Sequence, residues 1–92
     1  MALFQWDPNK ASANLEKHGV AFEEAATVFE DPLALTYTDV MHSEAEQRWI
    51  TVGLSGALRL LLVVNTEWQE NIRIISARRP TITERKTYES QF

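Results

Sequence analysis

Apolar residues return at helical spacing in the first third of the chain and alternate or run together as in strands over most of the rest. Phe22, Ala25, Ala26 and Phe29 fall at i, i+3, i+4 and i+7, with Glu23, Glu24 and Glu30 off the stripe, and this predicts an amphipathic helix ended by Pro32. Ala21 stands where Ser, Thr or Asp would cap that helix, so about 1 kcal/mol of capping is missing. Upstream, Asp7 and Pro8 form a helix start, with Asp7 as N-cap and Pro8 in the first turn, and Gly19 can end the helix near His18. Before it, "LFQW" alternates like a short strand.

From Leu33 the period becomes extended. "LALTYT" reads as a strand and the polar "DVMHSEAEQ" as its loop. "RWITVGL" and "ALRLLLVVN" flank Ser55-Gly56, a two-residue hairpin signal, and "EWQEN" turns the chain into "IRIISAR". Thr81 followed three positions later by Glu84 has capping-box spacing, so a last helix should begin near Ile82. The expected architecture is α+β: an antiparallel sheet of about four strands packed with two N-terminal helices and a C-terminal helix, in one domain over residues 1–92.

Composition narrows the function more than the fold. The chain has no cysteine, which removes disulfides, thiolate metal sites and cysteine nucleophiles. Its N-terminus lacks a basic segment followed by an apolar one, and "LLLVVN" is too short to cross a bilayer, so a soluble cytoplasmic protein without membrane partners is expected. Residues 1–46 carry two lysines against nine acids, while residues 47–92 carry seven basic residues against four acids. The halves therefore differ in sign, and either they neutralise each other across the fold or the basic half meets phosphate.

His18 and His42 stand apart with no H-E-x-x-H motif, so no metal site or cofactor is expected. The three glycines, at 19, 53 and 56, fit neither a P-loop nor a dinucleotide fingerprint, and "GLSGA" fits a turn better than a nucleophile elbow. What remains is metal-free cleavage of RNA, which needs a proton acceptor, a proton donor and cations around a phosphorane-like transition state. Arg78 and Arg79 alternate sides at the end of a strand; Arg85 and Lys86 follow on the last helix, with Tyr88 three residues beyond Arg85. The competing interpretation of this cluster is a set of surface ion pairs, each worth at most about 1 kcal/mol. His18, at a helix C-terminus, suits either capping or proton donation to phosphate. Lys10, Asn14 and Lys17 form a polar stripe on the same helix, lining a site or facing water. Glu46 and Arg48 are two apart, either a local salt bridge or a carboxylate base held by its arginine. Tyr37, Trp49 and Trp68 could stack on bases or simply pack.

"WDPNKASANLEKHGVAFEEAATVF", "HSEAEQRWITVG" and "IRIISARRPTITERKTY" together resemble the BrnT family, toxins of type II toxin–antitoxin pairs, over nearly the whole chain from Phe4 to Tyr88. The resemblance implies a RelE-like fold, a ribonuclease activity that slows translation, and neutralisation by a BrnA-type antitoxin whose ribbon-helix-helix domain would make any contact with DNA. With it, Arg48 and Arg78 are expected to stabilise the transition state, Glu46 or Glu84 to accept the proton, and His18 or Tyr88 to assist the leaving group. Lys10, Lys17, Arg79, Arg85 and Lys86 would hold the RNA. The alternative class is a non-enzymatic module whose basic face docks a partner protein.

Overall fold

Capping chemistry sets the helix starts. The computed structural model describes residues 3–42 and 46–92, and within them α1 spans Pro8–His18. Asp7 accepts from the Asn9 N–H at 2.8 Å, Pro8 occupies the first turn, and Gly19 closes the helix with a left-handed φ of 69°. The second helix, α2, spans Phe22–Thr27 and starts at Ala21 with no side-chain cap. It tightens into a single 3-10 turn, Val28–Glu30, before Pro32. The last helix, α3, spans Ile82–Glu89 and carries the full capping box, in which the Thr81 hydroxyl accepts from Glu84 N–H and the Glu84 carboxylate accepts from Thr81 N–H.

Five strands form one sheet: β1 Phe4–Gln5, β2 Leu35–Thr38, β3 Trp49–Leu54, β4 Leu60–Trp68 and β5 Asn71–Arg78, in the order β1-β5-β4-β3-β2. The expectation of an antiparallel sheet of about four strands is corrected here. β2 to β5 do pair antiparallel, but β1 adds a parallel edge, with Phe4 opposite Ile72 and Gln5 opposite Arg73. Among the described residues, helices and strands together make an α+β fold with a mixed sheet.

Both tight turns also differ from expectation. Between β3 and β4, Ser55 N–H donates to the Arg59 carbonyl and Leu58 N–H to the Ser55 carbonyl, while Leu58 takes a left-handed φ of 63°. Ser55-Gly56 is therefore not a two-residue turn; the reversal uses Gly56, Ala57 and Leu58. β4 runs on to Trp68 through residues expected to turn, and the next reversal is confined to Gln69 and Glu70, with φ of 50° and 68°. Of the polar loop expected between β2 and β3, residues 43–45 lie outside the described residues.

The sheet has apolar side chains on both faces. One cluster joins Val20, Phe22, Ala25 and Val28, on and beside α2, to Leu61, Val63, Ile74 and Ala77 of the sheet; on the other face Tyr88 of α3 packs on Val52, Leu60 and Leu62. A bulge at Ile75 makes this partition possible, because Ser76 pairs with Val64 but Ile74 with Asn65. Ile74 and Ala77 thus both enter the core under α1 and α2. Arg73 and Arg78, opposite Thr66 and Leu62, share the other face.

Asn14 is not part of an outward polar stripe. It is buried, and its amide donates to the carbonyls of Val20 at 3.0 Å and Ala77 at 2.8 Å while its oxygen accepts from Ala77 N–H at 3.0 Å. β1 reaches only as far along β5 as Ile72 and Arg73, so the Asn14 amide takes the place of a neighbouring strand at the residue before Arg78.

Candidate active site

α3 covers only one end of its face of the sheet, where Tyr88 packs with Val52, Leu60 and Leu62. Beyond it the face is built in ladder rows. One row runs Leu35, Val52, Leu62 and Arg78; the next runs Tyr37, Ile50 and Val64. The pairing continues past the start of β3, since Asp39 N–H donates to the Arg48 carbonyl and the Thr66 hydroxyl to the Gln47 carbonyl. By strand alternation Arg48 then lies on the same face as Ile50 and Val52, in a row with Thr66 and Arg73. This half-open face therefore displays Arg48, Arg73 and Arg78 around a floor of Ile50 and Val64, with Tyr37 at its edge.

Arg78 forms a bidentate ion pair on this face. Its Nη1 and Nη2 donate to the two Glu84 oxygens at 2.9 and 3.0 Å, and Nη1 also donates to the Arg79 carbonyl at 3.1 Å. This fork, joined by the hydrogen bond from Thr81 N–H, outweighs burial and lowers the Glu84 carboxyl from 4.5 to about 2. Three of the five guanidinium N–H groups are used. The other two find no acceptor among the described residues, and the side chain is 38% exposed, so an incoming anion can be bound without breaking the fork.

Because the folded-state value of Glu84 is depressed, its contribution to stability is present above pH 4.5 and is lost as pH falls toward 2. Glu84→Gln should therefore flatten the fall of Tm across that window. Thermal melts by circular dichroism at stepped pH check this, and parallel curves for parent and variant would contradict it.

Tyr37, 41% exposed, belongs to this cluster; the sequence offered it for stacking or packing and not as a proton donor. Burial and the nearby Glu84 and Asp39 carboxylates push its phenol up, only partly offset by Arg78, so it stays protonated and able to donate. Nothing local marks it, since the register of β2 on β3 is what brings it over. Arg48 Nε donates to Glu46 at 3.3 Å; the carboxylate is the more exposed partner. Glu46 itself lines a small depression with Gln47, Trp49, Thr66 and Glu67. Two guanidinium groups and a neutral phenol on one face, with an accessible carboxylate held by one of the arginines, are the parts needed to bind a phosphodiester and move protons at its oxygens.

The other sequence-identified residues lie elsewhere. Tyr88 is buried, and its hydroxyl donates to Asp31 at 2.6 Å; burial and that contact push it up to about 12, so it ties α3 to the chain before β2 and does not reach the open face. Lys10, Lys17 and His18 border a shallow depression of about 250 Å³ between α1 and the bulged edge of β5 at Ile75 and Ser76. Arg79 and Arg85 do not join Arg78. With Arg59, Leu54, Leu58 and Phe92 they line a groove of about 320 Å³. There Arg59 grips Glu24 in a fork at 2.6 and 2.9 Å and Arg85 approaches Glu89 at 3.8 Å. Lys86 is exposed on α3. Among the described residues, no three His, Cys, Asp or Glu side chains come together as a metal would require, and no helix is long and apolar enough to cross a membrane.

A family model described as the ribonuclease toxin BrnT of type II toxin–antitoxin systems matches residues 6–84. No curated protein matches the sequence. Among solved structures, the chain is similar to the 1.1 Å crystal structure of the Brucella abortus ribonuclease toxin BrnT, with a TM-score of 0.67 and 20% identity, covering 88% of this chain and 99% of that one. At that identity the likeness carries the fold.

Proposed function

Since the chain belongs to the BrnT family of ribonuclease toxins of type II toxin–antitoxin systems, we propose that its open sheet face cleaves RNA without a metal, by attack of a ribose 2′-hydroxyl on the adjacent phosphate. The observation that carries this reading is the pair of guanidinium groups, Arg48 and Arg78, presented on one face with the protonated Tyr37 in the ladder row between them. Glu46 takes the 2′-hydroxyl proton, the new O2′–P bond forms as the P–O5′ bond breaks, and Tyr37 protonates the departing 5′-oxygen. The products are a 2′,3′-cyclic phosphate and a 5′-hydroxyl. Arg48 and Arg78 carry the charge that builds on the phosphoryl oxygens. Glu84 is too weak a base at a value of about 2; it fixes the plane of Arg78 instead.

In this reading the fold is RelE-like, the substrate is cytoplasmic RNA whose loss slows translation, and a BrnA-type antitoxin neutralises the toxin by covering the same face. Any DNA contact then belongs to the antitoxin. One observation favours the non-enzymatic alternative: Arg48, Arg59, Arg78 and Arg85 each already have a carboxylate partner. Incubation of antitoxin-free protein with RNA in excess chelator separates the two. Fragments ending in 2′,3′-cyclic phosphate support the nuclease; intact RNA, with or without ribosomes, supports the binding module.

A further inference from the structure

The far end of the open face holds a second construction that the cleavage chemistry does not use. The Arg73 guanidinium lies over the Trp68 ring at 4.9 Å from its centroid, and Gln5, on the neighbouring strand, accepts from Arg73 Nη1 at 2.9 Å. Trp68 stands six residues beyond Leu62 on β4, so it shares the face of Leu62, Val64 and Thr66. It is nevertheless 42% exposed, with a large aromatic surface left to solvent beside the stacked cation.

The turn that carries Trp68 is costly. Gln69 and Glu70 both take left-handed backbone angles, φ 50° and 68°, which side chains other than glycine and asparagine adopt at a cost of about 1–2 kcal/mol per residue. The turn holds Trp68 directly opposite Asn71. The acid just before it, Glu67, lines one depression with Phe29 and Trp49 and another with Glu46, Gln47 and Thr66. A rigid aromatic ring, a guanidinium pinned in plane and open solvent access are the components with which proteins hold an unpaired base.

We propose that Trp68 and Arg73 form a base-stacking subsite for single-stranded RNA, an inference that rests on the nuclease reading and extends it to the form of the substrate. Arg78 faces Leu62, and Trp68 stands six positions further along β4, roughly 20 Å at strand spacing. That distance is about six nucleotides at the 3.4 Å stacked spacing and fewer when the strand is splayed. A strand seated at Arg78 therefore reaches Trp68 with a base several nucleotides along, and one paired in a duplex cannot offer that base.

The test uses the full chain with a cleavable single-stranded RNA and with a 2′-O-methyl oligonucleotide of the same sequence, which binds without being cut. Trp68→Ala should raise the Kd for the 2′-O-methyl strand and the KM for the RNA by at least about fivefold, the low end of base–aromatic stacking, and leave kcat within a factor of about two. Trp68→Phe should retain most of the affinity. If Trp68→Ala does not fold, the fluorescence present in the parent and missing from Trp68→Phe provides the second readout, and saturating 2′-O-methyl strand should quench it. Unchanged Kd and KM in a folded Trp68→Ala protein, or unquenched Trp68 emission at saturation, would overturn the subsite while leaving cleavage intact. A parent that neither binds nor cuts RNA would instead overturn the nuclease reading, and the subsite with it.

Discussion

Replacing Arg78 with alanine is expected to slow RNA cleavage by about 10²-fold or more, the usual loss when one preorganised donor to a developing oxyanion is removed. The expectation follows from how firmly this side chain is held. Both Nη atoms are fixed on Glu84, Nη1 also on the Arg79 carbonyl, and two N–H groups remain directed at nothing in the described fold. The effect on stability should be small. Glu84 keeps its bonds to Thr81, so the start of α3 survives, and a partly exposed ion pair contributes at most about 1 kcal/mol. Single-turnover cleavage rates, measured beside thermal melts, separate the two quantities. Arg78→Lys should recover only part of the rate, since an ammonium cannot span Glu84 and phosphate with a planar fork.

Asn14→Ala is expected to be the most destabilising single change considered. The substitution removes three hydrogen bonds and leaves the buried N–H of Ala77, with the carbonyls of Val20 and Ala77, short of a partner. At about 1–3 kcal/mol for a stranded buried group, a total near 3 kcal/mol is expected, a large share of the 5–15 kcal/mol typical of a domain. For a chain of this size that corresponds to a Tm lower by about 10–20 °C. Asn14→Asp makes the test one of chemistry and not size. Its carboxylate can still accept from Ala77 N–H but would face two carbonyls, so it should be no better than alanine. A Tm for Asn14→Asp equal to that of the parent would show that the amide is not the clamp described above. Since Ala77 immediately precedes Arg78, both variants should also lose cleavage activity at temperatures where they remain folded.

What could be read from the sequence was what local chemistry determines. Asp7, Pro8 and Gly19 bound α1, and Thr81 with Glu84 opens α3, because caps involve residues within a few positions of one another. The alternation of "IRIISAR" marked β5, but not the bulge at Ile75 that moves Arg73 and Arg78 to the same face. Turn limits blurred where the left-handed residue is neither glycine nor asparagine: Ser55-Gly56 did not reveal Leu58, and "EWQEN" held the second reversal but not its narrowing to Gln69 and Glu70. The alternation of "LFQW" marked β1, but its parallel pairing with β5 and the bonds of Asn14 involve partners more than 60 positions away, a separation that leaves no local pattern. The same holds within the site. The Arg78–Glu84 contact lay within reach of the capping box, whereas Tyr37 enters only through the register of β2 on β3. Arg79 and Arg85 were grouped with Arg78 by sequence proximity, but they line a groove with Arg59 and Phe92 instead.

The central claim is that RNA lies on the sheet face bearing Arg48, Tyr37 and Arg78. Methyl resonances of isoleucine and valine test it most directly, because Ile50 and Val64 line that face while Val63 and Ile74 sit under α1 and α2. On titration with a 2′-O-methyl oligonucleotide, the methyl signals of Ile50 and Val64 should shift and those of Val63 and Ile74 should stay in place. Unmoved Ile50 and Val64 signals under saturating oligonucleotide would place the RNA elsewhere and contradict the account.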